Sequence, residues 1–202
     1  MEAPAPMISL RERKKARTRE LLVEVAIELF LEQGFDATTV DQIAARAEIS
    51  QRTYFRYFPT KEAVVFQDHA RRIARFRELL AVHRGAGTPL ETVWHALDEL
   101  TADFVRDRAQ SLTEYRIVTA SPLLIARDVE LDLEYEAAIA ETLAGASRAR
   151  SAQQRARIHA GAIFGAVRAV MQEWYSHDCQ IDLHALGREA RRILEPRPGK
   201  RR

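Results

Sequence analysis

The stretch Thr38–Lys61, TTVDQIAARAEISQRTYFRYFPTK, decides the fold of this chain. It predicts two short helices joined by a tight turn. Thr39, with Gln42 three positions on, forms a capping box in which hydroxyl and amide each satisfy a backbone N–H left open at a helix start. Ile43, Ala44 and Ala47 recur at helical spacing and give the first helix its apolar face. Ser50 is a good N-cap for the second helix, whose first turn holds Gln51, Arg52 and Thr53. Pro59 ends that helix by disfavouring helical geometry at Phe58. Two helices and a turn, the second rich in polar, basic and aromatic side chains, make a helix-turn-helix, whose second helix lies in the DNA major groove.

Spacing sorts the side chains by task. Gln51, Arg52 and Arg56 are placed to reach base edges, where Gln or Arg contacts adenine or guanine bidentately. Thr53, Tyr57 and Lys61 suit phosphates, contacts that set register without reading sequence. Phe55 and Phe58 cannot both be solvated, so at least one anchors the motif. The competing reading is a generic amphipathic helix pair with solvated charges.

A long basic first helix, then Gly34-Phe35, Thr38-Thr39, IAARA, Ile49-Ser50, TYFRYF and Lys61 resembles the TetR/AcrR class of bacterial regulators. The likeness covers about the first quarter to third of the chain. It implies an all-α homodimer, with an N-terminal three-helix DNA-binding domain and a larger C-terminal helical bundle that binds a small ligand and dimerises. It also implies DNA contacts from Thr39, Gln51, Arg52, Thr53, Phe55, Arg56, Tyr57 and Lys61. Two positions depart from the pattern. Glu48 stands in the turn, where the class usually has glycine; a left-handed backbone there costs a non-glycine residue about 1 kcal/mol, and a carboxylate is unhelpful near phosphates. Phe55 stands where tyrosine is commoner and lacks the hydroxyl that would reach a phosphate.

At 202 residues and 47% hydrophobic, the chain can bury a full core and fits one large or two small domains. The formal charge of +2 is too small to argue for nucleic acid by itself. Its distribution says more: RERKKARTR, from Arg11 to Arg19, holds six basic residues and one acid beside the DNA-facing helices, so binding should be salt-dependent. A second cluster, Arg188, Arg191, Arg192, Arg197, Lys200, Arg201 and Arg202, reads as a solvated tail. The single Cys179 excludes an internal disulfide and suits a reducing cytoplasm. No apolar run has the length of a membrane span, and the N-terminus lacks a signal peptide's apolar core. MEAPAP reads as a short disordered lead, and a cytoplasmic protein without a membrane partner is expected.

The chain reads as helix nearly throughout. The first helix spans Leu10 to Gln33, with Leu21, Leu22, Val25, Ala26, Leu29 and Phe30 as its buried side and Gly34 as its stop. A connector helix from Lys61 to about His83 follows the motif, and Thr88-Pro89 opens the next helix. The domain boundary falls in the connector, giving a DNA-binding domain over residues 1–60 and a ligand-binding and dimerisation domain over 61–202. Helical periodicity continues over 90–110, 112–120, 121–144, 152–177 and 183–194, with Pro122 in a first turn. Within DVELDLEYEAAIAE, Val129, Leu131, Leu133 and Ile139 are the expected buried positions. Gly161 and Gly165, four apart, make a small-residue face with Ala169. Such a face permits close helix approach, either inside one subunit or, as the resemblance implies, across a dimer seam.

Nothing in the chain points to catalysis. HExxH, paired-cysteine and Gly-rich phosphate patterns are all missing. His177, Asp178, Cys179 and His184 come nearest to a metal site and read as an ordinary helix end. No enzyme activity, cofactor or metal is expected. Trp94, Leu97, Leu100, Phe104, Tyr115, Tyr135, Phe164 and Trp174 suit the lining of an apolar ligand cavity, although each taken singly is more often a core residue. Arg116 suits a ligand carboxylate or phosphate held bidentately, or an ion pair with Glu114, Asp128 or Glu130. RTYFRYFPTKEAVVF, followed later by RIVTASPLL, is similar to actinobacterial regulators with an acyl-CoA-like ligand domain, which implies an acyl-CoA or fatty-acyl effector. The expectation is a ligand-responsive homodimeric repressor released from a DNA operator. The alternatives are an activator of the same architecture and a helical ligand-binding or interaction protein with degenerate DNA binding.

Overall fold

The computed structural model describes residues 9–195; the MEAPAP lead and Arg197, Lys200, Arg201 and Arg202 lie outside them. The described residues form α-helices without a strand: α1 (Leu10–Gln33), α2 (Val40–Arg46), α3 (Gln51–Tyr57), α4 (Glu62–Val65), α5 (His69–Val82), α6 (Pro89–Arg106), α7 (Arg108–Thr119), α8 (Pro122–Ala144), α9 (Arg150–Ser176) and α10 (Leu183–Leu194). They divide into two compact units. The first runs to residue 67 and takes in 117–124; the second comprises 68–116 and the chain from 125 onward.

The first unit is built on α1. Ser9 and Glu12 close a capping box at its start, and Gly34, at φ +87°, ends it with its N–H on the Phe30 carbonyl. Leu22, Val25, Ala26, Leu29 and Phe30 are buried against Ile43, Tyr54, Phe58, Val64 and Val65. Leu21, expected inside, is 42% exposed because it lies at the edge of that stripe. Ile117, Val118 and Leu124 complete this core, which is why 117–124 belongs to the first unit although the sequence places everything after residue 60 in the second. The corner between α7 and α8 is fixed here by the buried Ser121 hydroxyl, which donates to the Asp36 carboxylate at 2.8 Å.

The connector helix expected over Lys61–His83 is two helices. Residues 66–68 form a turn. Gln67 accepts a hydrogen bond from Arg19 at 2.6 Å, whereas Asp68 accepts from Arg71 and Gln110. Partners of different elements thus hold adjacent residues. Likewise the helix expected over 90–110 breaks at Asp107, whose side chain favours helix ends over interiors.

In the second unit α5, α6, α8 and α9 share one core, with Ile73, Phe76, Leu79, Val93, Ile139 and Phe164 at its centre. A smaller cluster around Trp174, Cys179 and Leu183 seats the start of α10. On α8, Leu131 and Ile139 are buried as expected, but Val129 and Leu133 are 46% and 57% exposed. Those two lie with Ile125 at four-residue spacing on a separate stripe of the helix, turned from the buried one. Among the described residues no helix is long and apolar enough to cross a membrane.

Candidate nucleic-acid interface

The turn between α2 and α3 is a Schellman motif. The Ile49 N–H reaches the Ala44 carbonyl at 2.9 Å and the Glu48 N–H the Ala45 carbonyl at 3.1 Å. That geometry needs a left-handed residue, and Glu48 supplies it at φ +55°. The strain expected at this position is therefore present. Thr39 caps α2 with Gln42 as its reciprocal partner, and Ser50 caps α3 by accepting from the Thr53 N–H at 3.2 Å.

Two rings pin α3 to the core. Tyr54 and Phe58, one turn apart, are 0% and 2% exposed, and burial raises the Tyr54 phenol above its ordinary range, helped by Glu62. Phe58 is the anchor that the phenylalanine pair required, while Phe55 is 49% exposed with its ring edge-on to Tyr54. With Tyr54 turned in, Gln51, Arg52, Phe55 and Arg56 make one exposed face, and Thr53 and Tyr57 flank it half-buried. The Arg56 guanidinium lies over the Tyr57 ring, 5.4 Å from its centroid. The Gln51 amide donates to the Asp41 carboxylate of α2. Arg11 to Arg17 are exposed on the first turns of α1. Arg19, the last of that basic run, lies over Phe58 with 4.8 Å from its guanidinium carbon to the ring centroid.

Lys61 has work inside the protein. Its ammonium donates to the carbonyls of Phe35 and Thr38, each at 2.7 Å, and closes the chain crossing between α1 and α2. Arg46 braces the same helices from outside, reaching Glu28 at 3.2 Å and Glu32 at 2.7 Å and holding the Glu32 carboxyl below its ordinary range. Sequence reasoning missed Tyr54, Arg19 and this use of Lys61. The Tyr54–Phe58 spacing was a readable signal; the carbonyls that Lys61 reaches leave none.

The residues read as a ligand lining separate in the second unit. Trp94, Leu97, Phe104, Tyr135 and Phe164 join the larger core, with Tyr135 stacked on Phe164 at 5.7 Å. Trp174 sits in the smaller one, and Tyr115 stacks on Tyr175 at 4.3 Å. Arg116 pairs with Asp178 at 2.7 Å on the surface, and Arg72 holds Glu114 through both oxygens at 2.6 and 3.1 Å. A cleft of about 230 Å³ is lined by Arg71, Arg72, Arg75 and Arg106 with Asp103 and Asp107, over Leu100 and Phe104, which are the members of the expected lining that border it.

On α9, Gly165 and Ala169 are exposed and Gly161 is half-buried; a Cβ on Gly165 would meet nothing within 4 Å. Close packing inside the protomer does not explain that glycine. His177, Asp178, Cys179 and His184 are dispersed: His177 lies against the Glu173 carbonyl, Asp178 meets Arg116, Cys179 is buried and His184 meets Asp98. Among the described residues no group of three or more His, Cys, Asp or Glu side chains is placed to hold a metal.

Residues 22–67 match the model for bacterial regulatory proteins of the tetR family. Over 185 residues the chain is 34% identical to the HTH-type transcriptional regulator TcmR of Streptomyces glaucescens, covering 88% of this chain and 81% of that one. It is 26% identical over 181 residues to MftR of Mycobacterium tuberculosis, a putative mycofactocin biosynthesis transcriptional regulator, covering 87% and 88% of the two chains. Among solved structures it resembles FadR of Thermus thermophilus, a TetR-family transcriptional repressor in complex with lauroyl-CoA. That match has 27% identity and a TM-score of 0.57 and covers 90% of this chain and 99% of that one.

Proposed function

The chain belongs to the TetR family of bacterial regulatory proteins, and from that membership we propose a homodimeric repressor that a small, largely apolar effector releases from its operator. As a family member it is a DNA-binding transcriptional regulator and not an enzyme. The observation that carries the proposal is the single exposed face of Gln51, Arg52, Phe55 and Arg56, held rigid by buried Tyr54 and Phe58. A helix presented in this way reads base edges, while Thr39, Thr53, Tyr57 and the arginines of α1 reach phosphates on either side. The third ammonium proton of Lys61, beyond the two given to carbonyls, is its contribution to a phosphate.

The outward small-residue face of α9 supports a dimer seam through Gly161, Gly165 and Ala169. Two copies would then place two copies of α3 on successive major grooves of a pseudo-palindrome. An effector of acyl-CoA type is supported by the lauroyl-CoA complex of the Thermus thermophilus relative. It would enter at the cleft that Leu100 and Phe104 border and favour a spacing of the reading helices that no longer fits DNA.

The test is a titration of labelled DNA from upstream of the protein's own gene, with unrelated DNA alongside, at two salt concentrations. Tight binding confined to the upstream DNA, weakened by salt and relieved by lauroyl-CoA, supports the proposal. Lauroyl-CoA that binds, as read from Trp94 and Trp174 fluorescence, without changing DNA affinity would sink its effector half.

A further inference from the structure

Asp41 lies in the first turn of α2 and Gln51 is the first residue of α3; both are exposed, and their side chains meet across the turn. An ionised carboxylate only accepts hydrogen bonds, so it dictates which end of the glutamine amide faces it. That end is the NH₂ group. We propose that Asp41 is a specificity-determining residue: by taking one N–H of Gln51, it commits that side chain to adenine. The inference rests on the reading of α3 as the helix that enters the major groove.

The chemistry follows from counting what Gln51 has left. With one N–H on Asp41, the amide retains one N–H and its carbonyl oxygen. Adenine offers N7 as an acceptor and the N6 amino group as a donor, which match that pair in two hydrogen bonds. Guanine offers two acceptors, N7 and O6, and asks for two donors. The second donor is already engaged. Thymine and cytosine each offer a single polar partner in the groove and gain one bond. A Gln51 released from Asp41 has both N–H groups available and can turn either end to the bases, so its preference weakens.

A purely structural role for Asp41 is the competing account, since an acid in a first helical turn stabilises the helix by itself. Base preference separates the two. The full-length protein is used to select binding sites from random duplex DNA, as wild type, Asp41→Asn, Asp41→Ala, Gln51→Ala and the double variant Asp41→Asn/Gln51→Ala. Asp41→Asn keeps the shape of the residue but can donate as well as accept, so it no longer dictates the orientation of the amide. Wild type is expected to select adenine at one symmetric pair of positions, and Gln51→Ala to lose that selection. Either Asp41 substitution should lower the adenine-over-guanine preference there by about tenfold. In the Gln51→Ala background Asp41→Asn should change nothing further at that position.

Unchanged adenine preference in both Asp41 variants overturns the proposal, as does guanine at the Gln51-dependent position in wild type. A uniform loss of affinity across all sequences assigns Asp41 to the helix start alone. A selected sequence that Gln51→Ala leaves intact removes Gln51 from base readout and Asp41 with it. If wild type selects no sequence at all, the reading of α3 itself fails and carries this inference down.

Discussion

The Lys61 ammonium lies 4.0 Å from the centroid of the Phe35 ring and donates to the carbonyl of the same residue. With its second bond to Thr38 it is a three-way clasp on the crossing from α1 to α2. Lys61→Met leaves two carbonyls without their charged donor and should cost about 2 kcal/mol of stability. Arg52→Ala, at an exposed position without such a task, should stay within about 0.5 kcal/mol while losing operator affinity. Urea unfolding followed by circular dichroism, set beside DNA titration, checks the contrast.

Glu48 pays for its left-handed backbone, and glycine would not. Glu48→Gly should raise stability by about 1 kcal/mol, seen as a higher urea midpoint with an unchanged slope. Losing the carboxylate should also tighten DNA binding at low salt, with the gain shrinking as salt is added. Weaker binding in this variant would place the Glu48 carboxylate in a useful contact instead.

A side chain on Gly165 meets open space within the protomer. Gly165→Arg should therefore keep full helicity while light scattering, expected to find a dimer for wild type, finds a monomer. Retention of the dimer would move the seam away from α9.

Asp128 as a whole is exposed, yet crowding by protein atoms pushes its carboxyl up to about 6, with repulsion from Asp132 and Glu114 adding to the effect. A raised carboxyl means that the folded state keeps a proton which the unfolded chain releases at its ordinary value near 3.8. Stability from this group is thus present below that ordinary value and falls as pH rises toward 6. Asp128→Asn should have little effect near pH 4, become increasingly stabilising up to about pH 6, and give a flat advantage above about pH 7. Urea midpoints measured across that range test it; an advantage independent of pH would assign the effect to packing.

What was legible in the sequence was written in local punctuation. Gly34, the Thr39–Gln42 and Thr88–Glu91 capping boxes, Ser50, and Pro89 and Pro122 at first helical turns carry their geometry within three or four residues. The left-handed turn at Glu48 was legible for the same reason. What failed depended on partners distant in the chain. The break at 66–68 reflects Arg19 and Gln110 pulling on adjacent residues. Val129 and Leu133 look like core residues until a neighbouring stripe of α8 takes the inner side. Arg116 reaches Asp178, 62 residues away in the chain, a partner that no local pattern announces.

Ile117, Val118 and Leu124, with Ser121 tied to Asp36 across 85 positions of the chain, complete a core that begins at Leu22. The order of synthesis acquires a meaning from this. When the helix-turn-helix leaves the ribosome, the apolar seat for those three side chains is still empty, and it stays so until Leu124 has emerged. A contact of such sequence separation forms late. The nascent chain therefore cannot complete the core of its DNA-binding unit until residues 117–124 have been made, well after the helix-turn-helix itself.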